Sequence, residues 1–224
     1  MKLTNILILI NTGFFVLVMS ISPFLGAERF EAFFINNVAL TPSTFSDNPW
    51  TIITSMFMHA PGFPISLFSA HLLVNMISLF FLGSFLERII GKRRFFTLYV
   101  FGGLLGALFF LGLALISSDP RVISLSIFAP QNSMISAVGA SAAIFALAGC
   151  LSILVPRIPV LVFFFFPMKL YQAIIFLMVA LSLLPGIANS AHLGGIVAGL
   201  FYGLYLKKKY KRKVILLNKM LGLG

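Results

Sequence analysis

Six stretches of this chain stay apolar for as long as a helix needs to cross the roughly 30 Å hydrocarbon core of a bilayer: about residues 5–25, 71–87, 95–116, 138–155, 170–185 and 189–206. In lipid a backbone has to satisfy its own N–H and C=O groups, and single apolar runs of this length do so as helices. Composition agrees, since 60% of the 224 residues are hydrophobic and only 9% are charged. The expectation is an all-α membrane protein, one six-helix domain over residues 1–224 without internal repeat or low-complexity linker. The first run, preceded by Lys2, also has the look of a signal peptide, but its length and Pro23 argue for a retained span. The stretch 158-IPVLVFFFFPMKL-170 is too short and too broken by proline for a seventh span, and is expected to be a loop at the interface or tucked against the bundle.

A formal net charge of +11 would point to nucleic acid in a soluble protein. Here its distribution says otherwise. With the N-terminus cytoplasmic, the inner side holds all sixteen Lys and Arg except Arg29 and Arg121, while Glu28, Glu31, Asp47 and Asp119 fall outside. The N- and C-termini are therefore both expected in the cytoplasm, and residues 207–224, opening 207-KKKYKRK-213, form a basic tail that meets anionic lipid. No nucleic-acid partner is expected, because the cations are spread over every inner loop and carry no recognition motif. The single Cys150 leaves no intrachain disulfide and reads as packing.

Spans two, four and six then run from outside to inside, and each carries polar groups near its outer end. His71 and Asn75 lie on the second, Ser141 on the fourth and His192 on the sixth. Counting at 1.5 Å per helical residue from the basic anchors Arg88, Arg157 and Lys207 puts Asn75, Ser141 and His192 roughly 20, 24 and 22 Å above the inner boundary. Three side chains from three spans are thus level, and His71 shares a helix face with Asn75. A serine hydroxyl needs a base to take its proton, and histidine is the side chain suited to that near neutrality. No Asp or Glu lies within any span near its outer side, so a Ser–His dyad is the available arrangement. Ser141 at a helix start brings free backbone N–H groups, Asn75 can supply a side-chain donor, and Gly139 keeps the approach to the hydroxyl open. On the sixth span Gly195, Gly199 and Gly203 make one small face that lets another helix approach, and Phe145, one turn after Ser141, can lie under the imidazole.

The segments 71-HLLVNMISLFFLGSFLE-87, 139-GASAAIFALAG-149 and 191-AHLGGIVAGLFYG-203 together resemble the rhomboid family of intramembrane serine proteases, which has HxxxN on span two, GxSx opening span four and AHxGG opening span six. The resemblance covers the chain from about residue 49 onward. It implies a six-transmembrane-helix rhomboid-like bundle that hydrolyses peptide bonds in or near transmembrane segments of other proteins. Ser141 would be the nucleophile, His192 the base, and His71, Asn75 and Ser141 the oxyanion site. The chain departs from the family pattern in having Ala142 directly after the serine, Thr51 after Trp50, and a long loop between His59 and His71 in which His59 reads as structural. No cofactor is expected and no metal: HExxH is absent, and no carboxylate lies close in sequence to His59, His71 or His192. The alternatives are an inactive rhomboid-like protein that binds membrane helices and a small transporter. The expected setting is a prokaryotic inner membrane with the site toward its outer face.

Overall fold

The computed structural model describes residues 1–61, 69–117, 136–162, 165–183 and 187–223. Most of residues 60–70, together with Asp119, Arg121 and the end of the fifth expected span, lie outside them. Helix α1 (Leu3–Leu25) stops at Gly26, whose φ of 75° suits a residue without a side chain, and turns into α2 (Ala27–Asn37). Phe30 of α2 folds back on Phe15, Val18 and Met19 of α1, together with Val38 and Met58. A single turn, α3 (Thr51–Thr54), precedes the second span.

That span is one rod of three parts: α4 (Ala70–Ser78), a π turn (Leu79–Gly83) and α5 (Ser84–Ile90). After Gly91 the chain re-enters as α6 (Lys92–Ser117). The N-terminus of α1 rests on the far end of this rod. Glu87 Oε1 accepts from Leu3 N at 2.9 Å, and its Oε2 accepts from Thr4 N at 2.9 Å and Thr4 Oγ1 at 2.7 Å. A buried carboxylate thus satisfies orphan donors at a helix start, where the macrodipole favours negative charge.

Helix α7 (Ser141–Leu154) is the centre of the bundle and is buried on almost every side. It starts later than the expected 138, because residues 136–139 are non-helical and bonded to other loops. The strands β1 (Pro159–Val162) and β2 (Phe166–Lys169) pair antiparallel where a loop was expected over 158–170, one small departure from all-α in a chain that is mostly helical. Pro159 and Pro167 deny this segment a helix, and its β-branched Val160 and Val162 suit a strand, so pairing with itself satisfies an otherwise apolar backbone. Helix α8 (Leu170–Ser182) buries residues of its first turn and a half, Leu170, Ala173 and Ile174. Helix α9 (Asn189–Lys209) carries on past the expected 206, and the tail beyond it forms α10 (Lys211–Met220). This last helix is docked: Asn218 Nδ2 donates to the Leu154 carbonyl at 2.8 Å at the end of α7, and Arg94 Nη2 donates to Tyr210 Oη at 2.7 Å.

Among the described residues three helical stretches are long and apolar enough to cross a membrane by themselves: Leu3–Leu25, Ala70–Ile90 and Lys92–Ile116; α7 and α8 are shorter apolar helices. The middle of the bundle is made by small residues. A Cβ on Gly195 or Gly199 of α9 would overlap the carbonyl oxygen of Ala142 or Ala146, and one on Gly203 would lie 3.0 Å from that of Cys150. Where α6 meets both helices, a Cβ on Gly106 would lie 2.5 Å from that of Ala142 and 2.7 Å from the carbonyl oxygen of Ala191. Backbones this close maximise dispersion where lipid offers no hydrophobic drive to association.

The Glu87 contact yields a stability prediction. Glu87→Gln keeps the shape but loses the charge that three donors share, so detergent-solubilised protein should lose about 1–3 kcal/mol. Thermal unfolding followed by circular dichroism is the check, and an unchanged Tm would reduce the contact to an incidental one.

Candidate active site

The turn that carries Ser141 is built by backbone bonds from distant loops. Leu40 and Ala137 exchange N–H···O bonds of 3.0 and 2.8 Å, Thr41 Oγ1 lies 2.7 Å from Ser136 Oγ, and Gly139 N donates to the Ser55 carbonyl at 2.8 Å. Gly139 has φ of 130°, and a side chain there would meet His71 Cε1 at 2.9 Å, His71 Nε2 at 3.0 Å and Ser141 Oγ at 3.5 Å. Only glycine both turns the chain this way and leaves the ring and hydroxyl facing one another. Helix α7 begins at Ser141, and its first intrahelical donor is Ile144 N, bonded to the Ala140 carbonyl at 2.9 Å. The N–H groups of Ser141, Ala142 and Ala143 therefore have no partner within the helix.

His192 sits in the first turn of α9, buried, with Nε2 2.8 Å from Ser141 Oγ. The Phe145 ring lies against the imidazole, centroids 4.6 Å apart and planes 35° to each other. Gly195, one turn on, presses α9 onto Ala142, so the separation of base and hydroxyl is fixed by the contact that holds the two helices. His192 Nδ1 finds no hydrogen-bond partner among the described residues. A neutral ring with its proton on Nδ1 has its Nε2 lone pair free to accept the serine proton.

His71 and Asn75 come from α4. Asn75 Nδ2 donates to the His71 carbonyl at 2.8 Å, which leaves its second hydrogen unassigned to the helix. His71 Nδ1 accepts from Ala60 N at 3.1 Å, so in the neutral ring the proton is on Nε2, the atom beside Gly139. His59 is fully buried and edge-on to His71, with centroids 5.2 Å apart. Burial, and secondarily the neighbouring His71, push its pKa down to about 3, so it stays neutral and adds no charge to the site. Among the described residues no group of three or more His, Cys, Asp or Glu is placed to hold a metal ion.

Next to Ser141 is a cavity of about 30 Å³ with mostly apolar walls, among them Leu40, Met56, Ala107, Phe110 and Ala191. It has room for a group about the size of one water. The structure thus brings Ser141, His192, Phe145, His71 and Gly139 into one cluster, with Asn75 behind His71 on the same helix face. The Leu40–Ala137 bridge, the Ser55 carbonyl and the Ala60 amide were not among the expected participants; all three act through the backbone, which leaves no side-chain signature to read.

With this arrangement, a family model described as Rhomboid domain matches residues 46–209. The chain belongs to the rhomboid family. It is 29% identical over 187 residues to Rhomboid protein 1, mitochondrial, of Saccharomyces cerevisiae, covering 80% of this chain and 48% of that protein. Against RHOMBOID-like protein 5 of Arabidopsis thaliana the identity is 33% over 158 residues, 70% of this chain and 44% of the relative. RHOMBOID-like protein 12, mitochondrial, of the same plant is 30% identical over 190 residues, 81% and 54% of the two lengths. The chain spans about half the length of these rhomboid relatives. Mitochondrial and plant relatives lend no support to the expected prokaryotic inner membrane, and what stands is an integral, multi-pass membrane protein.

The glycine contact beside the site is directly testable. Gly195→Ala forces a methyl into the Ala142 carbonyl, so α9 must shift from α7, at a cost of about 1–3 kcal/mol. Thermal melts should fall, and covalent labelling of Ser141 by a fluorophosphonate should slow at temperatures where the variant is still folded. Labelling at the wild-type rate would mean that the Ser141–His192 distance does not depend on this packing.

Proposed function

We propose that the chain is an intramembrane serine endopeptidase that cleaves transmembrane segments of other membrane proteins with a Ser141–His192 dyad. The observation that carries this reading is the 2.8 Å contact between Ser141 Oγ and His192 Nε2 at the head of a buried helix. His192 Nε2 takes the hydroxyl proton as Oγ attacks the scissile carbonyl carbon, and the electron pair moves to the carbonyl oxygen. The N–H groups of Ser141, His71 Nε2 and Asn75 Nδ2 donate to that oxyanion. When it collapses, the C–N bond breaks and His192 returns its proton to the departing amine. Water then adds to the acyl-Ser141 ester with His192 again as base, releasing the new carboxylate and restoring the hydroxyl.

Phe145 limits the tilt of the imidazole, Gly139 leaves room beside the hydroxyl, and Gly195 and Gly199 hold α9 against α7. A cavity of about 30 Å³ suits a small substrate side chain next to the scissile bond. In this reading the bundle has six spans with both termini cytoplasmic and the site toward the outer face, consistent with the distribution of Lys and Arg. Its partners are transmembrane protein substrates and the surrounding lipid. The basic residues from Lys207 onward lie beside exposed Ile215, Leu216 and Met220, a combination suited to an anionic leaflet.

Purified protein should be labelled by a fluorophosphonate at Ser141, and Ser141→Ala should lose both labelling and cleavage of a model transmembrane substrate with little change in Tm. Undiminished cleavage by that variant would sink the serine mechanism. A folded wild-type protein whose Ser141 stays inert to the probe would instead favour a rhomboid-like protein that binds membrane helices without cutting them.

A second prediction separates the oxyanion role of α4 from packing. Asn75→Ala and His71→Ala should each slow turnover, by less than the roughly 100- to 1000-fold seen for a dominant donor, because the Ser141 amide survives. The double variant should lose less than the product of the single effects, since both groups serve one charge. An Asn75→Ala enzyme with full turnover but a much lower Tm would reduce Asn75 to an interhelical contact.

A further inference from the structure

Helix α4 starts at a serine with two partners. Ser69 Oγ accepts from Leu72 N at 3.1 Å, which caps the helix, and at the same time donates to the Ala60 carbonyl at 2.6 Å. Ser69 is buried, and its extended φ and ψ of −134° and 112° are those of an N-cap residue. Ala60 is thereby held from both sides by residues two apart on α4. Its carbonyl receives the Ser69 hydroxyl, and its own N–H enters His71 Nδ1 at 3.1 Å. Pro61 follows directly and restricts Ala60 to extended conformations, so fixing the carbonyl also fixes where the N–H points.

This matters because a neutral imidazole has one donor and one acceptor nitrogen. With Nδ1 occupied as an acceptor, Nε2 carries the proton, and Nε2 is the atom that lies 3.0 Å from the place where a Gly139 side chain would begin, on the Ser141 side. The opposite tautomer would turn a lone pair toward the developing oxyanion and convert a stabilising contact into a repulsive one. The ring of His59, edge-on to His71, adds no hydrogen bond that could hold the tautomer instead.

We propose that Ser69 is a positioning residue that, through the Ala60 peptide, holds His71 as an Nε2–H donor to the reacting carbonyl oxygen. The role rests on the serine-protease reading above, and five Ser69 and His71 variants of the full chain in detergent test it. Ser69→Ala should lower kcat by about 10-fold, less than outright loss of a donor, with KM little changed. Ser69→Thr, which keeps the hydroxyl, should restore the rate. Ser69→Asp can still cap α4 but as a carboxylate has no proton for the Ala60 carbonyl, so it should stay slow. In a His71→Ala background, adding Ser69→Ala should cost nothing further.

Histidine ring ¹⁵N shifts, assigned by comparison with His71→Ala, give a readout independent of turnover. They should report an Nε2–H tautomer for His71 in the wild type and a mixture in Ser69→Ala. An aspartate variant as fast as the threonine one, an undiminished Ser69→Ala effect without His71, or an unchanged His71 tautomer would each overturn the proposal and leave Ser69 as a helix cap only. A wild-type protein with the Nε2–H tautomer but no reaction at Ser141 would strike the protease reading instead, and the positioning role with it.

Discussion

The close approach of α7 and α9 is the contact on which the rest of the site depends. Ala142, Ala146 and Cys150 on one helix meet Gly195, Gly199 and Gly203 on the other so tightly that a single added methyl at either of the first two glycines would overlap a carbonyl oxygen. In lipid no hydrophobic effect drives two apolar helices together, and dispersion between close backbones takes over that task. The same contact sets chemistry. Ser141 precedes Ala142 and His192 lies one turn before Gly195, so the axial register of the packing determines whether hydroxyl and imidazole meet at 2.8 Å.

Around this contact, polar backbone groups that lipid would penalise are put to use. Residues 136–139 bond to Leu40, Thr41 and Ser55, and that pairing delivers Gly139 and Ser141 to the mouth of α7. The Ala60 amide ends on His71 and the Ala60 carbonyl on Ser69. The loops on the Ser141 side of the bundle are therefore a hydrogen-bonded frame for one helix start, whose own first N–H groups have no partner within the helix.

Much of the site was legible in the sequence, because its components are side chains with a fixed spacing. His71 with Asn75, Ser141 after Gly139, and His192 ahead of Gly195 and Gly199 could be placed at one depth by counting helical residues from the basic anchors. The start of α9 was legible as well, as was the small-residue face that seats it. What escaped was carried by backbone. The Leu40–Ala137 bridge and the Ala60 bonds join residues far apart in sequence through groups that every residue has. The hairpin at 159–169 was hidden because continuous apolar runs carry no alternation to mark a strand. The docking of α10 was hidden behind its charge: Lys and Arg dominate the segment, while the contact is made by Asn218 and by Tyr210, Val214 and Leu217.

The absence of a carboxylate beside His192 among the described residues becomes intelligible when set against Glu87. That buried acid sits about 24 Å along the same rod from His71, where three donors from α1 surround it. On the Nδ1 side of His192 no hydrogen-bond partner lies among the described residues, and the ring packs against Phe145. An anion there would face the full desolvation cost with only the imidazole to offset it. A tilted Phe145 ring against the imidazole restricts it without any charge to solvate, so orientation of His192 comes from packing, the same force that brings α9 to α7.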